Sequence, residues 1–88
     1  MTTFIPPLTD LRFNFEHIIG YEEIGSLQEF KEVGSDVVDA ILNESGKFAS
    51  EELAPLNRTG DTQGCTLENG VVRTPSGFKE SYKLLSEA

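Results

Sequence analysis

Apolar residues recur at helical spacing in several stretches of the chain, and glycine or proline separates one stretch from the next. Pro6 and Pro7 come before the first stretch and favour an extended arm there. Thr9 suits the N-cap of a helix whose apolar stripe runs to Ile19, and Gly20 suits its C-terminal end. The pattern therefore predicts an extended arm followed by a helix.

Two further helices are predicted in the next part of the chain. Ser26 and Glu29 have the spacing of a capping box, and apolar residues after Ser26 share one side for about two turns. The longest helix is predicted from about Asp36 to Leu53, because a wide apolar stripe runs along it. This stripe consists of Val37, Val38, Ile41, Leu42, Ser45, Phe48, Ala49 and Leu53. Gly46 lies inside it at a cost of about 1 kcal/mol relative to alanine, which indicates close packing by another helix.

The stretch "APLNRTGDTQG", Ala54 to Gly64, predicts a turn that ends the long helix. Pro55 disfavours helical geometry at Ala54 and supplies no backbone N–H. Asn69-Gly70 follows between two short β-compatible runs, and this dipeptide is typical of a type I′ hairpin turn. We therefore expect a turn and then a short β-hairpin.

A last helix is predicted from Thr74-Pro75, with proline in its favoured first position. Phe78, Tyr82 and Leu85 recur at helical spacing and mark the face that we expect to be buried. The pattern continues to Ala88 without a glycine or another C-cap signal, which is typical of an incomplete helix.

These elements predict a mainly α fold of about four helices with one short β-hairpin. Residues 1–34 form a leader with an extended arm and short helices, and residues 35–88 contain the long helix, turn, hairpin and incomplete last helix. The apolar stripes are too numerous for 88 residues to cover one another. We therefore expect one piece of a larger protein, whose exposed apolar helix faces contact the rest of that protein or drive self-association.

Composition limits the partners and the compartment. The formal net charge is −8, from 15 acidic and 7 basic residues, so nucleic acid and anionic membrane are not expected as partners. The start of the chain has neither the basic nor the apolar region of a signal peptide. Cys65 is the one cysteine, which fits a reducing compartment and predicts a cytoplasmic protein.

The sequence contains no self-contained active site. His17 and Cys65 are the one histidine and the one cysteine, and no local motif supports either a metal site or a catalytic pair, although a Cys65–His17 pair stays open. Gly60 to Gly64 lacks the lysine of a phosphate-binding loop. The glycosylation motifs at Asn43 and Asn57 are chance matches without a secretion signal. We therefore expect no catalytic, cofactor-binding or metal-binding residue in this chain.

From Gly46 to Ala88 the sequence "GKFASEELAPLNRTGDTQGCTLENGVVRTPSGFKESYKLLSEA" resembles the start of the helical N-terminal domain of acyl-CoA dehydrogenases. The phrases that carry this resemblance are "APLNRTGDTQG", "LENGVVRTPSGF" and "KESYKLLSEA". Pro6 to Ile24 resembles the leader of one branch, which includes the bacterial 3-(methylthio)propanoyl-CoA dehydrogenases. On this resemblance, residues 35–88 are the start of the family's helical domain.

The resemblance implies a full-length flavoprotein of fatty acid metabolism that contains FAD and desaturates an acyl-CoA thioester between its α and β carbons. Such enzymes are usually homo-oligomers, and their flavin contacts and catalytic glutamate belong to later parts of the chain. No functional residue of the family is therefore carried onto residues 1–88, which we expect to bind no cofactor and to be catalytically silent alone. The sequence does not indicate which acyl chain the whole enzyme takes.

Two other functions stay open at this point. The chain could be a stand-alone small acidic helical module that binds other proteins, since its charge and its apolar stripes fit that role. A minimal enzyme that depends on Cys65 is the other alternative, although no motif around this residue supports it.

Overall fold

The computed structural model describes residues 3–88, and within them the chain forms five α-helices and one antiparallel β-hairpin. The elements are α1 (Leu8–Phe13), α2 (Tyr21–Gly25), α3 (Ser35–Phe48), α4 (Leu56–Gln63), β1 (Thr66–Glu68), β2 (Val71–Arg73) and α5 (Phe78–Glu87). Two π-helical segments, Asn14–Ile19 and Ala49–Leu53, follow α1 and α3, and a 3₁₀ turn covers Gln28–Phe30. The predicted mainly α fold with one short hairpin is confirmed.

The chain divides into two compact units. One contains Ile5–Lys47, and the other contains Phe48–Ala88 together with Thr3 and Phe4. The predicted division of the chain into a leader, residues 1–34, and a helical part, residues 35–88, stays a prediction.

In the unit Ile5–Lys47, the first helix begins two residues earlier than predicted. Leu8 opens α1 and Pro7 occupies the N-cap position, so the prediction of Thr9 as N-cap was wrong. The carbonyl of Pro7 accepts the backbone N–H of Leu11 at 3.0 Å. Proline is tolerated here because a backbone N–H at the start of a helix has no acceptor within the helix, so its absence breaks no hydrogen bond. Gly20 ends the following π-helical segment with φ 68°, as predicted.

The capping box predicted from Ser26 to Glu29 is not formed. The Ser26 hydroxyl donates to the carbonyl of Glu23 at 2.5 Å, which places it at the end of α2 instead of the start of another helix. A single 3₁₀ turn, Gln28–Phe30, replaces the predicted two-turn helix, and no side chain caps it. The sequence pattern also missed α2, whose first residue, Tyr21, is buried with 8% of its surface exposed.

The long predicted helix is confirmed as α3 and the π-helical segment that follows it. Gly46 in α3 is buried against the N-terminal arm and the first residue of α1. A Cβ built on Gly46 would lie 3.2 Å from Leu8 Cδ2 and 3.3 Å from Pro6 Cβ. The glycine therefore permits a close approach, as its position in the sequence indicates, and the partner includes the proline arm as well as a helix.

Polar contacts join the same two helices further along. Arg12 Nε donates to Asp39 Oδ1 at 3.0 Å, and Arg12 Nη2 donates to Asn43 Oδ1 at 2.8 Å. Asp39 and Asn43 lie four residues apart and so share one side of α3. One guanidinium thus contacts two successive turns of α3.

In the unit that contains Phe48–Ala88, the predicted turn at Ala54 to Gly64 was wrong. Residues Leu56–Gln63 form α4, with Pro55 at the N-cap position. The misleading signals were Pro55 and Gly60. Proline is favoured near a helix N-terminus because its fixed φ suits the helix there, and the glycine is accommodated inside α4 because a side chain packs against it.

The hairpin has the predicted turn. Thr66 pairs with Arg73 and Glu68 pairs with Val71 in an antiparallel register. Asn69 and Gly70 have φ angles of 51° and 79°, the positive values that a type I′ turn requires at both central positions. Asparagine and glycine adopt such values more readily than other residues do, which is why this turn could be read from the sequence.

The last helix begins three residues later than predicted. Phe78 is the first residue of α5, and Gly77 occupies the N-cap position with φ 91°. Pro75 therefore lies before the helix and not at its first position. The turn Thr74–Gly77 accommodates the change of direction, with Phe78 N donating to the carbonyl of Pro75 at 3.4 Å.

Few side chains of residues 3–88 are buried. Tyr21 is the one large hydrophobic residue below one-tenth exposure in that range, and no side chain there is fully buried. The exposed large hydrophobic residues include Phe13, Ile18, Ile19, Ile41, Leu67, Val72, Tyr82 and Leu85. No helix formed by residues 3–88 is long and apolar enough to span a bilayer.

Candidate functional site

An open apolar groove is the strongest candidate for a functional surface, and it lies within the unit that contains Phe48–Ala88. It has a volume of about 290 Å³. The groove is formed where the end of α3, the following π-helical segment, the start of α4 and one side of α5 meet. Its lining residues are Phe48, Leu53, Leu56, Asn57, Phe78, Ser81, Tyr82 and Leu85.

One wall of the groove comes from α5. Phe78, Tyr82 and Leu85 recur at positions i, i+4 and i+7, so they share one side of this helix. The prediction that this face is buried was wrong, because Tyr82 is 72% exposed and Leu85 is 54% exposed. The sequence pattern identified the correct face, but residues 3–88 leave that face open.

The opposite wall depends on a close approach between α4 and α5. A Cβ built on Gly60 would lie 2.8 Å from Phe78 Cζ, which is closer than real Cβ contacts. The ring of Phe78 thus lies directly against the backbone of α4. Sequence reasoning missed this role of Gly60 because it interpreted the glycine as part of a turn.

A second glycine supports the same arrangement from the start of α5. Gly77 has φ 91°, and a Cβ there would lie 2.7 Å from Leu56 Cδ2. The side-chain carbonyl of Gln63 accepts the backbone N–H of Ser76 at 2.9 Å, which joins the end of α4 to the turn before α5. Leu56 was also missed as a lining residue, and the signal that could have found it was Pro55 at the start of a helix.

The polar lining of the groove is small and uncharged. Asn57, Ser81 and the hydroxyl of Tyr82 are its polar groups, and Ser81 is buried with 7% of its surface exposed. No carboxylate, histidine or cation lines the groove, so it offers no charge to neutralise the pyrophosphate of FAD. These residues do not fit a flavin, and the groove is suited to contact with another apolar surface.

The hollow between the hairpin and the start of α5 has mixed charge. It is lined by residues 72–77, Lys79 and Glu80 and has a volume of about 430 Å³. Arg73 lies in the lining and its Nε is 4.0 Å from Glu68 Oε2, while Glu80 adds a carboxylate to the same hollow. Carboxylates therefore offset the two cations, Arg73 and Lys79, and the hollow does not indicate an anion site.

The two residues considered for chemistry lie in surface positions. The ring of His17 contacts that of Phe13 at a tilt of 49°, with ring centroids 4.9 Å apart, and its Nε2 is 3.7 Å from Glu16 Oε2. Cys65 is a free, exposed thiol immediately before β1. His17 belongs to the unit Ile5–Lys47 and Cys65 to the other unit.

Other candidate residues have structural contacts. In the part of the chain that the structure describes, no group of three His, Cys, Asp or Glu side chains is placed to hold a metal ion. Asn43 lies on α3 and accepts the hydrogen bond from Arg12, and Asn57 lines the apolar groove.

Comparison with known proteins gives two relatives, while no protein-family model matches the chain. Over 80 residues it is 40% identical to the 3-methylmercaptopropionyl-CoA dehydrogenase of Ruegeria pomeroyi, a match that covers 91% of this chain and 14% of that protein. Over 89 residues it is 28% identical to the butyryl-CoA dehydrogenase of Syntrophomonas wolfei, and this match covers 97% of this chain and 15% of that protein. The chain spans about one seventh of the length of these curated relatives.

Proposed function

The chain is a homologue of acyl-CoA dehydrogenases over a small segment of their length, and from this premise we propose that it is a structural segment of such an enzyme. In this proposal residues 1–88 carry no catalytic group. Their task is to pack against the remainder of the enzyme and so complete its fold. On the resemblance described above, we propose that the segment lies at the N-terminus of the parent.

The observation that carries this proposal is the open groove. Large apolar residues recur along two turns of α5 and form one wall of the groove. Complete soluble domains rarely expose a large continuous apolar patch of this kind. Each large apolar side chain that a partner surface buries contributes about 1.5–3 kcal/mol. A partner that covers Phe78, Tyr82 and Leu85 would therefore stabilise both itself and this unit.

The chemistry of the proposed parent comes from the relatives. We propose that the full-length protein desaturates an acyl-CoA thioester between its α and β carbons, with FAD as the oxidant. The names of the relatives specify a 3-methylmercaptopropionyl-CoA and a butyryl-CoA substrate for those proteins. A short acyl-CoA is therefore the substrate class to test first.

The proposal extends to assembly and compartment. A homo-oligomeric parent in the cytoplasm fits the resemblance, and the exposed thiol of Cys65 fits a reducing compartment. The alternative of a stand-alone acidic binding module would use the same groove for an unrelated protein.

Complementation tests the proposed function. The Ruegeria pomeroyi enzyme would be produced without the 80-residue segment that matches this chain, and residues 1–88 would be supplied as a separate polypeptide. We expect the mixture to regain flavin absorbance and acyl-CoA dehydrogenase activity, whereas residues 1–88 alone bind no flavin.

The matched control for complementation supplies the deleted segment of the Ruegeria enzyme itself. If that segment restores activity and residues 1–88 bind the truncated enzyme without restoring it, the structural role is retained but the two segments are not interchangeable. Failure of residues 1–88 to bind at all, when the control restores activity, would contradict the proposal and favour the stand-alone module.

A further inference from the structure

Helix α1 contacts α3 through the side that carries Leu8 and Arg12. Leu8 and Arg12 lie four residues apart on α1 and contact Gly46, Asn43 and Asp39 of α3. Leu8, near the start of α1, contacts Gly46, whereas the later residue Arg12 contacts positions 43 and 39, which come earlier in α3. The two helices are therefore antiparallel. The attachment therefore has an apolar end, at Leu8 and Gly46, and a polar end, at Arg12.

Large apolar side chains on the other side of residues 8–19 are exposed to solvent. Phe13, Ile18 and Ile19 are all more than half exposed, and Ile18 reaches 70%. The segment ends at Gly20, whose φ of 68° puts it in the left-handed region, and no atom outside Gly20 and its two chain neighbours lies within 4 Å of the place a Cβ would occupy there. Its backbone N–H donates to the carbonyl of Phe15, and its carbonyl accepts the N–H of Glu23 at 3.0 Å. A residue with this conformational freedom and this much space around it can act as a hinge.

We propose that residues 6–19 form a strap, which is fastened to α3 by Leu8 at Gly46 and by Arg12 at Asp39 and Asn43, and which opens at Gly20 while α3 stays helical. In the open state the strap leaves the Gly46 surface of α3 uncovered. This inference is independent of the proposed function, because it depends on contacts within the unit Ile5–Lys47 alone.

The polar end makes the strap sensitive to ionic strength. The side chains of Arg12 and Asp39 are 32% and 50% exposed, so solvent and salt screen their attraction. The hydrogen bond to Asn43 and the apolar contact at Gly46 are much less sensitive to salt. We expect added salt to weaken the fastening without releasing it completely.

Hydrogen exchange on the full 88-residue chain, followed by mass spectrometry, tests the strap. Arg12→Ala should raise the exchange rate of amides 11–19 by about three- to tenfold and change amides in α3 by less than about twofold. Salt at about 1 M should raise the rate of the same amides in the wild type and have no such effect in Arg12→Ala. Arg73→Ala is the matched control, since it removes one arginine from a surface ion pair in the other unit.

Three further variants separate opening of the strap from general unfolding of the chain. Arg12→Asp should open the strap further, because Asp39 then repels it, and the double variant Arg12→Asp/Asp39→Arg should restore much of the protection. Gly46→Ala should raise exchange in residues 8–19, because the added methyl pushes on Leu8 and Pro6, and at the same time slow exchange within α3, because alanine favours the helix.

Three results would overturn the proposal. One is equal acceleration of α1 and α3 in Arg12→Ala, which would mean that the two helices open together. Another is no acceleration of residues 11–19 in either Arg12→Ala or Gly46→Ala. The third is uniformly fast exchange in the wild type, since a strap requires a folded α3 to fasten to.

Discussion

Phe78 and Gly60 are in contact across two helices, with the ring of Phe78 against the backbone of α4. The ideal Cβ position at residue 60 lies 2.8 Å from Phe78 Cζ, so any side chain at this position has to displace the ring. Glycine inside a helix costs about 1 kcal/mol relative to alanine, and here the cost is offset by the packing of the aromatic ring.

Gly60→Ala should destabilise the wild type and stabilise a Phe78→Leu background. In the wild type the added methyl overpacks the contact at a cost of about 1–3 kcal/mol, against a helix gain of about 1 kcal/mol, so we expect a net loss of about 1 kcal/mol. In Phe78→Leu the clash is relieved, and a gain of about 0.5–1 kcal/mol should remain. Urea unfolding followed by circular dichroism measures all four chains. The same sign in both backgrounds would contradict the contact.

Gly77→Ala should cost about 2 kcal/mol in free energy of unfolding. Two causes act together, since alanine is strained at φ 91° and its methyl would lie 2.7 Å from Leu56 Cδ2. Gly34→Ala is the matched control because it has an open environment and no positive φ, and it should change stability by less than about 1 kcal/mol. Thermal unfolding of the two variants compares them, and similar losses would exclude the proposed contact at Leu56.

Asn69→Ala should destabilise the hairpin, whereas Asn69→Gly should leave it nearly unchanged. Alanine at φ 51° costs about 1–2 kcal/mol, and glycine adopts this conformation freely. Nuclear Overhauser effects between the paired residues Leu67 and Val72 report the hairpin directly. Loss of these signals in Asn69→Gly would show that the asparagine side chain, and not the backbone angle, holds the turn.

Leu85→Asp should weaken association through the groove, and Leu84→Asp should not. Both leucines are about half exposed, at 54% and 48%, but only Leu85 lines the groove. A carboxylate buried in an apolar interface should weaken binding at least about tenfold. Sedimentation of the 88-residue chain, together with the complementation mixture, measures this, and equal losses for the two variants would place the contact surface elsewhere on α5.

Local signals in the sequence predicted the elements that depend on local physics. The Asn69-Gly70 turn, the end of a helix at Gly20 and the long helix α3 all follow from backbone preference or apolar spacing, which a single sequence displays. The resemblance to acyl-CoA dehydrogenases was also visible in the sequence, and the two relatives confirm it.

Elements that depend on tertiary contact could not be predicted in the same way. In the sequence alone Gly60 and Pro55 indicate the end of a helix, and only the contact between Phe78 and Gly60 shows that the glycine lies inside α4. Ser26 likewise resembles an N-cap in the sequence, but its hydroxyl donates to the carbonyl of Glu23. The groove combines α4 with α5, so it could not be derived while residues 54–64 were interpreted as a turn. The Arg12 contacts join residues 27 and 31 positions apart, and helical periodicity carries no information about such pairs.

The π-helical segment Ala49–Leu53 contains one residue more than an α-helix needs over the same stretch. Its closing bond runs from Ala54 N to the carbonyl of Ala49 at 2.8 Å, and so encloses one residue more than an α-helical turn does. Deleting a single residue here would remove the wide turn and restore ordinary α-helical winding, while the side chains before and after it keep nearly the same directions. A relative that is one residue shorter between positions 49 and 53 should therefore have a regular α-helix here and present the same helix faces.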